Sequence, residues 1–445
     1  MNSELVESYA APAPRYTSYP TAQQFSADVT SSHYAEWLSA LKAGANLSLY
    51  CHIPFCQSLC WYCGCTTKAL RRYDPVAAYV DAIITEIAHV ATLVVPDHHV
   101  SHVHWGGGTP NILQPGDIER LSEALRSHYA IAPDAEFAVE IDPRHLEAEQ
   151  VAAFQRSGVN RVSIGVQDFD PAVQAAINRV QSFEMTQRAI GMFRDRGIAS
   201  INVDLVYGLP NQTSESIART IAQVLSLRPD RIATFGYAHL PTRLIHQRLI
   251  DERVLPGPVE RFAQSQLLAD LLVDAGYVRI GLDHFALPTD HLTGTALKRN
   301  FQGYSTEQAD ALLGFGASAI GQLPQGYVQN TVASGDYISK VGQARLATVR
   351  GVALTDDDRA RAWVIEQLMC GLSFNTAELR QRFPQEAAPI LADADGILAT
   401  KTGDFFTRTE DGYRVTEPGR PFVRTICTKF DSYFEPVAAR HAMAV

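Results

Sequence analysis

Basic residues are in the minority here. The 445 residues carry 38 Lys and Arg against 48 Asp and Glu, a formal net charge of −10. That balance argues against a general nucleic-acid partner, although a small anionic substrate needs only a local basic pocket. No apolar run is long enough to span a bilayer, so no membrane partner is expected. The opening MNSELVESYAAPAPRYTSYP has acids and prolines and no apolar secretory stretch. A cytoplasmic chain with reduced thiols is therefore expected. Solenoid-type repeats and low-complexity tracts are missing too. Cysteine is sparse, with seven in all, yet five of them lie between Cys51 and Cys65.

What is present is a rhythm. Short β-rich segments alternate with amphipathic helices through the first two thirds of the chain. Strands are expected at Leu47–Ile53, up to Trp105, and over Glu136–Asp142, Val159–Gln167, Ser200–Gly208 and Ile232–Ala238. The clearest helix is DPVAAYVDAIITEIAHV, with Asp74 as its cap, Pro75 in its first turn and Val76, Tyr79, Val80, Ile83, Ile84 and Ile87 on one face. Alternation of this kind implies right-handed crossovers and a parallel sheet, closed as a full or partial barrel or wound open. In each case the loops after the strand C-termini build the site. The rhythm stops near Ala286. Helices follow, then a short strand, turn and helix that together suggest a winged-helix outline. Without a concentration of basic residues, a packing cap is preferred to a DNA reader.

Cys56, Cys60 and Cys63 form C-x3-C-x2-C. A structural zinc site needs four ligands, usually from two hooks, and Cys65 follows too closely to be an easy fourth. Three thiolates on one loop suit an iron–sulfur cubane with its fourth iron open. Zinc and simple packing remain the alternatives. Cys51 falls in a strand pattern and reads as core. Gly106, Gly107 and Gly108 end a strand, as either a tight turn or a close backbone approach to a ligand. Glu140 and Asp204 sit in apolar strands and need partners there. For Glu140, a salt bridge to Arg144 is the structural alternative.

The cysteine motif after a first strand resembles the radical S-adenosylmethionine superfamily. In that superfamily the open iron binds S-adenosylmethionine, and reduction yields methionine and a 5'-deoxyadenosyl radical. The resemblance narrows to the oxygen-independent coproporphyrinogen III oxidases. YCHIPFCQSLCWYCGC, PRYTSYPTAQQF, HWGGGTP, EIDPR, SIGVQDF, DLVYGLP, YAHLPT, GLDHFALP and RNFQGY are similar to that family in family order, and Cys65 holds the place of its further cysteine. The similarity runs from Arg15 to ICTKFDSYF. The stretch from Pro288 to Lys298 is shorter than usual, Leu287 replaces a frequent basic residue, and ICTKFD replaces a more cysteine-rich version.

The resemblance implies an α/β fold: a partial (β/α)6 TIM-like barrel with a mostly helical C-terminal domain bearing a small hairpin. The expected division is an arm over residues 1–45 covering the barrel mouth, a barrel over 46–285 and a C-terminal domain over 286–445. The implied cofactors are one [4Fe–4S] cluster on Cys56, Cys60 and Cys63, and two S-adenosylmethionine molecules. Tyr50, Gly107, Gly108, Thr109, Glu140 and Ile320 are implied around the first. Tyr62, Gly108, Thr109, Gln167, Arg179, Asp204 and Ala238 are implied around the second. Arg15, Tyr16 and Tyr19 of the arm, with Lys298 and Arg299, are candidate contacts for the substrate carboxylates. The implied reaction converts two propionates of coproporphyrinogen III to vinyl groups, giving protoporphyrinogen IX. The implied partner is a flavodoxin- or ferredoxin-like electron donor, and the chain is expected to be a monomer. The rivals are a haem-binding chaperone on the same barrel, a paralogue acting on another tetrapyrrole, and a zinc-stabilised structural protein.

Overall fold

In the computed structural model, residues 3–9, 11–294 and 297–435 are described. Six strands carry the expected rhythm: β1 (Ala45–Ile53), β2 (His98–Gly107), β3 (Ile131–Ile141), β4 (Arg161–Gln167), β5 (Ser200–Tyr207) and β6 (Arg231–Gly236). Each pairs in parallel with the next. Helices cross over between them, among them Asp74–Ala91, Pro115–His128, Ala148–Arg156, Phe183–Arg194 and Ser214–Ser226. Strands covered on both faces bury both sets of side chains. Leu47, Leu49, Cys51 and Ile53 of β1 are all fully buried, with Cys51 in the core as expected. Asp74 is the first helical residue rather than the cap. Tyr73 precedes it without a side-chain cap bond, and Asp74 pairs with exposed Arg72.

The sheet continues past Ala286. β7 (Val278–Ile280) and β8 (His284–Ala286) fold back antiparallel on β6, while β9 (Ala311–Phe315) lies parallel to β1 on its other side. β10 (Ile320–Leu323), β11 (Gly326–Asn330) and β12 (Thr348–Ala353) add on antiparallel. The order is β12-β11-β10-β9-β1-β2-β3-β4-β5-β6-β8-β7, an open twelve-stranded sheet with seven parallel strands at its centre. The expected division at residue 286 therefore does not fall where the sheet ends. The strands of the sheet beyond it are four to six residues long, and β9 is buried at all five positions. A short, wholly buried run shows no alternation to read.

From Asp356 a second core forms. Helices Asp356–Gly371, Thr376–Arg382, Ala387–Leu398 and Val423–Cys427 pack on β13 (Ser373–Asn375), β14 (Phe406–Arg408) and β15 (Gly412–Val415), around Leu368, Phe406, Phe422 and Phe430. Tyr9, Tyr16 and Tyr19 of the N-terminal arm belong to that core. The Tyr16 hydroxyl donates to Asp431 (2.9 Å), and the Tyr19 and Ser432 hydroxyls are hydrogen bonded (2.9 Å). The arm is thus tied to residues 431 and 432.

Candidate active site

The C-terminal ends of the parallel strands open into one cavity of about 750 Å³. The segment after β1 supplies the cysteines. Phe55–Cys56 pairs with Lys68–Ala69, which pinches the loop between them at its base. Four contacts then anchor it. Trp61 N–H donates to the Ile177 carbonyl (2.9 Å), Asn178 to Leu59 (2.9 Å) and Gln247 to Tyr62 (3.0 Å), while His246 Nε2 meets the Cys63 carbonyl (2.7 Å). Cys56, Cys60 and Cys63 all line the cavity, as do Cys65 and Tyr62.

Positive charge and donors face these sulfurs. The Cys60 Sγ accepts from Arg144 (3.3 Å) and Arg179 (3.5 Å), and the Cys63 Sγ from the Cys65 N–H (3.4 Å). The Cys65 hydrogen bonds, against the penalty of burial, bring the Cys63 thiol down to about 6. Burial pushes Cys56 up to about 12. Arg144 and Arg179 are held by Asp142 at 2.6 and 3.2 Å, so Arg144 pairs with Asp142 and not with Glu140. Burial alone would raise the Asp142 carboxyl, yet the two guanidinium groups hold it well below the usual range.

Glu140, at the end of β3, accepts from the Gly107 N–H (3.1 Å) and bonds His104 Nε2 (3.2 Å). These bonds outweigh burial and keep it ionised. The glycine run makes a tight turn and a close approach to the chain's own backbone. Gly107 has φ +112°, and a Cβ on Gly108 would lie 2.4 Å from the Phe55 carbonyl oxygen. Gly107 and Gly108 line the cavity, with Glu140, Gln167, Arg179, Asp204 and Ala238. Asp204 accepts from Ser163 (2.7 Å) and Asn202 (2.8 Å), and burial raises its carboxyl. Thr109 stands behind the wall, its hydroxyl bonded to Asn111 and accepting from Asp142 N–H. Tyr50 and Ile320 border a second space of about 200 Å³, together with His52, Phe301 and Gln302, and Glu140 borders both spaces.

The expected substrate contacts divide. Arg15, Tyr16 and Arg299 line the large cavity. Arg299 is buried over the Tyr304 ring (4.5 Å), 3.6 Å from Asp283. Tyr19 and Lys298 do not line it. Tyr19 packs against Tyr433, and Lys298 pairs with Glu366 at 2.9 Å. Sequence reading missed Arg279 and Arg424, which also face the cavity. Burial lowers both to about 10, helped by Arg420 beside Arg279 and by Arg15 beside Arg424. The signal was available: each is a lone arginine in an apolar run, YVRIGL and PFVRTIC.

A family model of the radical SAM superfamily matches residues 50–224, and one of the HemN C-terminal domain matches 354–422. The chain is 48% identical over its whole length to the whole of an oxygen-independent coproporphyrinogen III oxidase from Bradyrhizobium diazoefficiens. It is 40% identical to the one from Escherichia coli, over 98% of this chain and 96% of that one. The chain belongs to the oxygen-independent coproporphyrinogen III oxidase family. The solved coproporphyrinogen III oxidase (HemN) from Escherichia coli, a radical SAM enzyme, superimposes with a TM-score of 0.91 at 39% identity, covering 97% of this chain and 99% of that one. The C-terminal match begins at residue 354, one residue after β12 ends.

Membership implies a [4Fe–4S] cluster and S-adenosylmethionine. The donor set fits a cluster. Three thiols share one anchored loop, with guanidinium and N–H donors facing two of the sulfurs. Among the described residues no three His, Cys, Asp or Glu side chains converge to hold a metal ion.

Proposed function

We propose that this chain converts coproporphyrinogen III to protoporphyrinogen IX without oxygen, working as a cytoplasmic monomer with a one-electron donor. Each of two propionates loses a hydrogen atom, carbon dioxide and one electron, and becomes a vinyl group. The observation that carries this reading is that cysteine loop and arginines share one cavity. Seven arginines and four carboxylates line it, an excess that suits a substrate bearing four carboxylates.

Cys56, Cys60 and Cys63 would hold the cluster. With S-adenosylmethionine bound there, the pair supplies hydrogen-atom abstraction. The chain's own residues do the rest. Arg144 and Arg179 set positive charge against the Cys60 sulfur, and Asp142 fixes both. Glu140, kept ionised by His104 and Gly107, offers a carboxylate to an ammonium group. Arg424 is a buried cation in the cavity wall and Arg279 and Arg299 are half-buried ones, and an entering carboxylate relieves part of the cost of taking them out of water. The arm closes one side through Arg15 and Tyr16. Two S-adenosylmethionine sites are supported by the two spaces that meet at Glu140.

The test is anaerobic reconstitution with iron and sulfide, then turnover with reductant and an electron acceptor. Release of 5'-deoxyadenosine and two carbon dioxides per porphyrinogen is expected. A reduced centre whose paramagnetic spectrum ignores added S-adenosylmethionine overturns the reading.

A further inference from the structure

Two of the arginines that line the cavity are already engaged by the chain itself. Arg144 Nε bonds both carboxylate oxygens of Asp142 (3.0 and 3.1 Å), and its Nη2 bonds Asp142 again (2.6 Å) while reaching the Cys60 Sγ at 3.3 Å. Arg179 Nη1 divides in the same way between Asp142 (3.2 Å) and Cys60 (3.5 Å), and its Nη2 donates to the Gly165 carbonyl (2.7 Å). These three charged side chains are only 7–10% exposed. Asp142 is fixed from behind. Its N–H donates to Thr109 Oγ1 (3.1 Å) and Asn111 Oδ1 (3.0 Å), and its carbonyl accepts from the Asn111 amide (2.9 Å). Buried Gln150 in turn donates to the Asn111 and Leu113 carbonyls. Arg144 is therefore held by this platform and does not depend on Cys60 for its place.

A bridge that only braced the loop would close with one cation. Here two guanidinium groups share one carboxylate, and the surplus positive charge faces the Cys60 sulfur. We propose that Arg144 sets the reduction potential of the cluster held by Cys56, Cys60 and Cys63, by fixing a buried positive charge at the Cys60 sulfur. The inference rests on the cluster assignment above. Uptake of one electron adds one negative charge beside that sulfur. A fixed cation there, poorly screened by water, favours the reduced form. Asp142 is the positioning residue that aims the guanidinium and offsets part of its charge.

The test is a redox titration of the anaerobically reconstituted holoenzyme with dithionite and mediators, without S-adenosylmethionine or porphyrinogen, read by the paramagnetic signal of the reduced cluster. Arg144→Met removes the charge and keeps much of the side-chain length. At the potential that half-reduces the wild type, its reduced-to-oxidised ratio should fall about tenfold, a shift of about 59 mV for one electron. Arg144→Lys keeps the charge without the fork and should recover most of that ratio. Asp142→Asn removes the opposing charge and should move the ratio upward. A brace with no electronic role would lower the urea midpoint in these variants and leave the ratio alone. An unchanged ratio in Arg144→Met overturns the proposal, as do shifts of the same sign in Arg144→Met and Asp142→Asn. If Arg144→Met takes up no iron, the direction in Asp142→Asn decides, and loss of iron from both variants also overturns it. Wild-type protein that takes up iron but forms no 5'-deoxyadenosine with dithionite fails the functional reading instead, and the titration still stands.

Discussion

Glu86 and Glu140 are both carboxylates on the same α/β scaffold, and their surroundings differ. Glu86, in the helix Asp74–Ala91, is 3% exposed and accepts from the Gly316 N–H (2.7 Å), the Asn330 amide (2.7 Å) and the Tyr337 hydroxyl (2.6 Å). Its capacity is spent on its own chain, joining that helix to β11 and to the end of β9. Glu140 has two partners, opens on two cavities, and shares the larger one with buried Arg144 and Arg179 and with the cysteine loop. A buried polar group saturated by its own fold is structural. One that keeps acceptor capacity toward an empty space is arranged for something that enters.

The largest effect expected from breaking this contrast is at the loop itself. Cys60→Ser should reduce iron to background and abolish 5'-deoxyadenosine formation, and full iron with turnover would refute the assignment. Next is Asp142→Asn, which strands two buried guanidinium groups and should cost about 3–5 kcal/mol in urea unfolding. The folded carboxyl of Asp142 titrates below its unfolded value. Its stabilisation is therefore present above about pH 4 and lost as pH falls further, a loss the variant should lack.

Glu140→Gln should weaken S-adenosylmethionine binding by about ten- to a hundredfold, as expected for a charge-assisted hydrogen bond, with little change in urea midpoint. At Glu86 the sign reverses. Burial raises this carboxyl from 4.5 to about 7. Between those values the folded state keeps a proton that the unfolded state has lost. Stability therefore falls as pH rises, by about 1.4 kcal/mol per unit from this group. Glu86→Gln should remove that slope, and an unchanged slope would show that Glu86 is ionised when folded. The smallest effect belongs to Lys298→Ala. Its pair with Glu366 is part-exposed, so a change of less than about 1 kcal/mol and no shift in KM for the porphyrinogen are expected.

Much of the scaffold was legible before any coordinates. The six parallel strands and their crossover helices follow from the repeated alternation of β-rich segments with amphipathic helices. The cysteine spacing, the glycine run and the carboxylates in apolar strands stood out, since each is costly unless something requires it. β9 to β12 did not stand out, being too short to show a period. Tyr19 and Lys298 had the right chemistry and the wrong direction. Tyr19 turns into the C-terminal core, and Lys298 finds Glu366, because residues distant in sequence supply better partners there.

The order of elements, the thiol-bearing loop and the identity of every charged group are properties of the sequence alone. Folding decided which charges meet. Asp142 takes Arg144 and Arg179, Glu140 takes His104, and Arg279 and Arg424 are carried into the cavity by β7 and a helix of the second core. Local periodicity is written in neighbouring residues. A cavity's electrostatics sum over side chains hundreds of positions apart, so the distances that set them exist only once the chain has closed on itself.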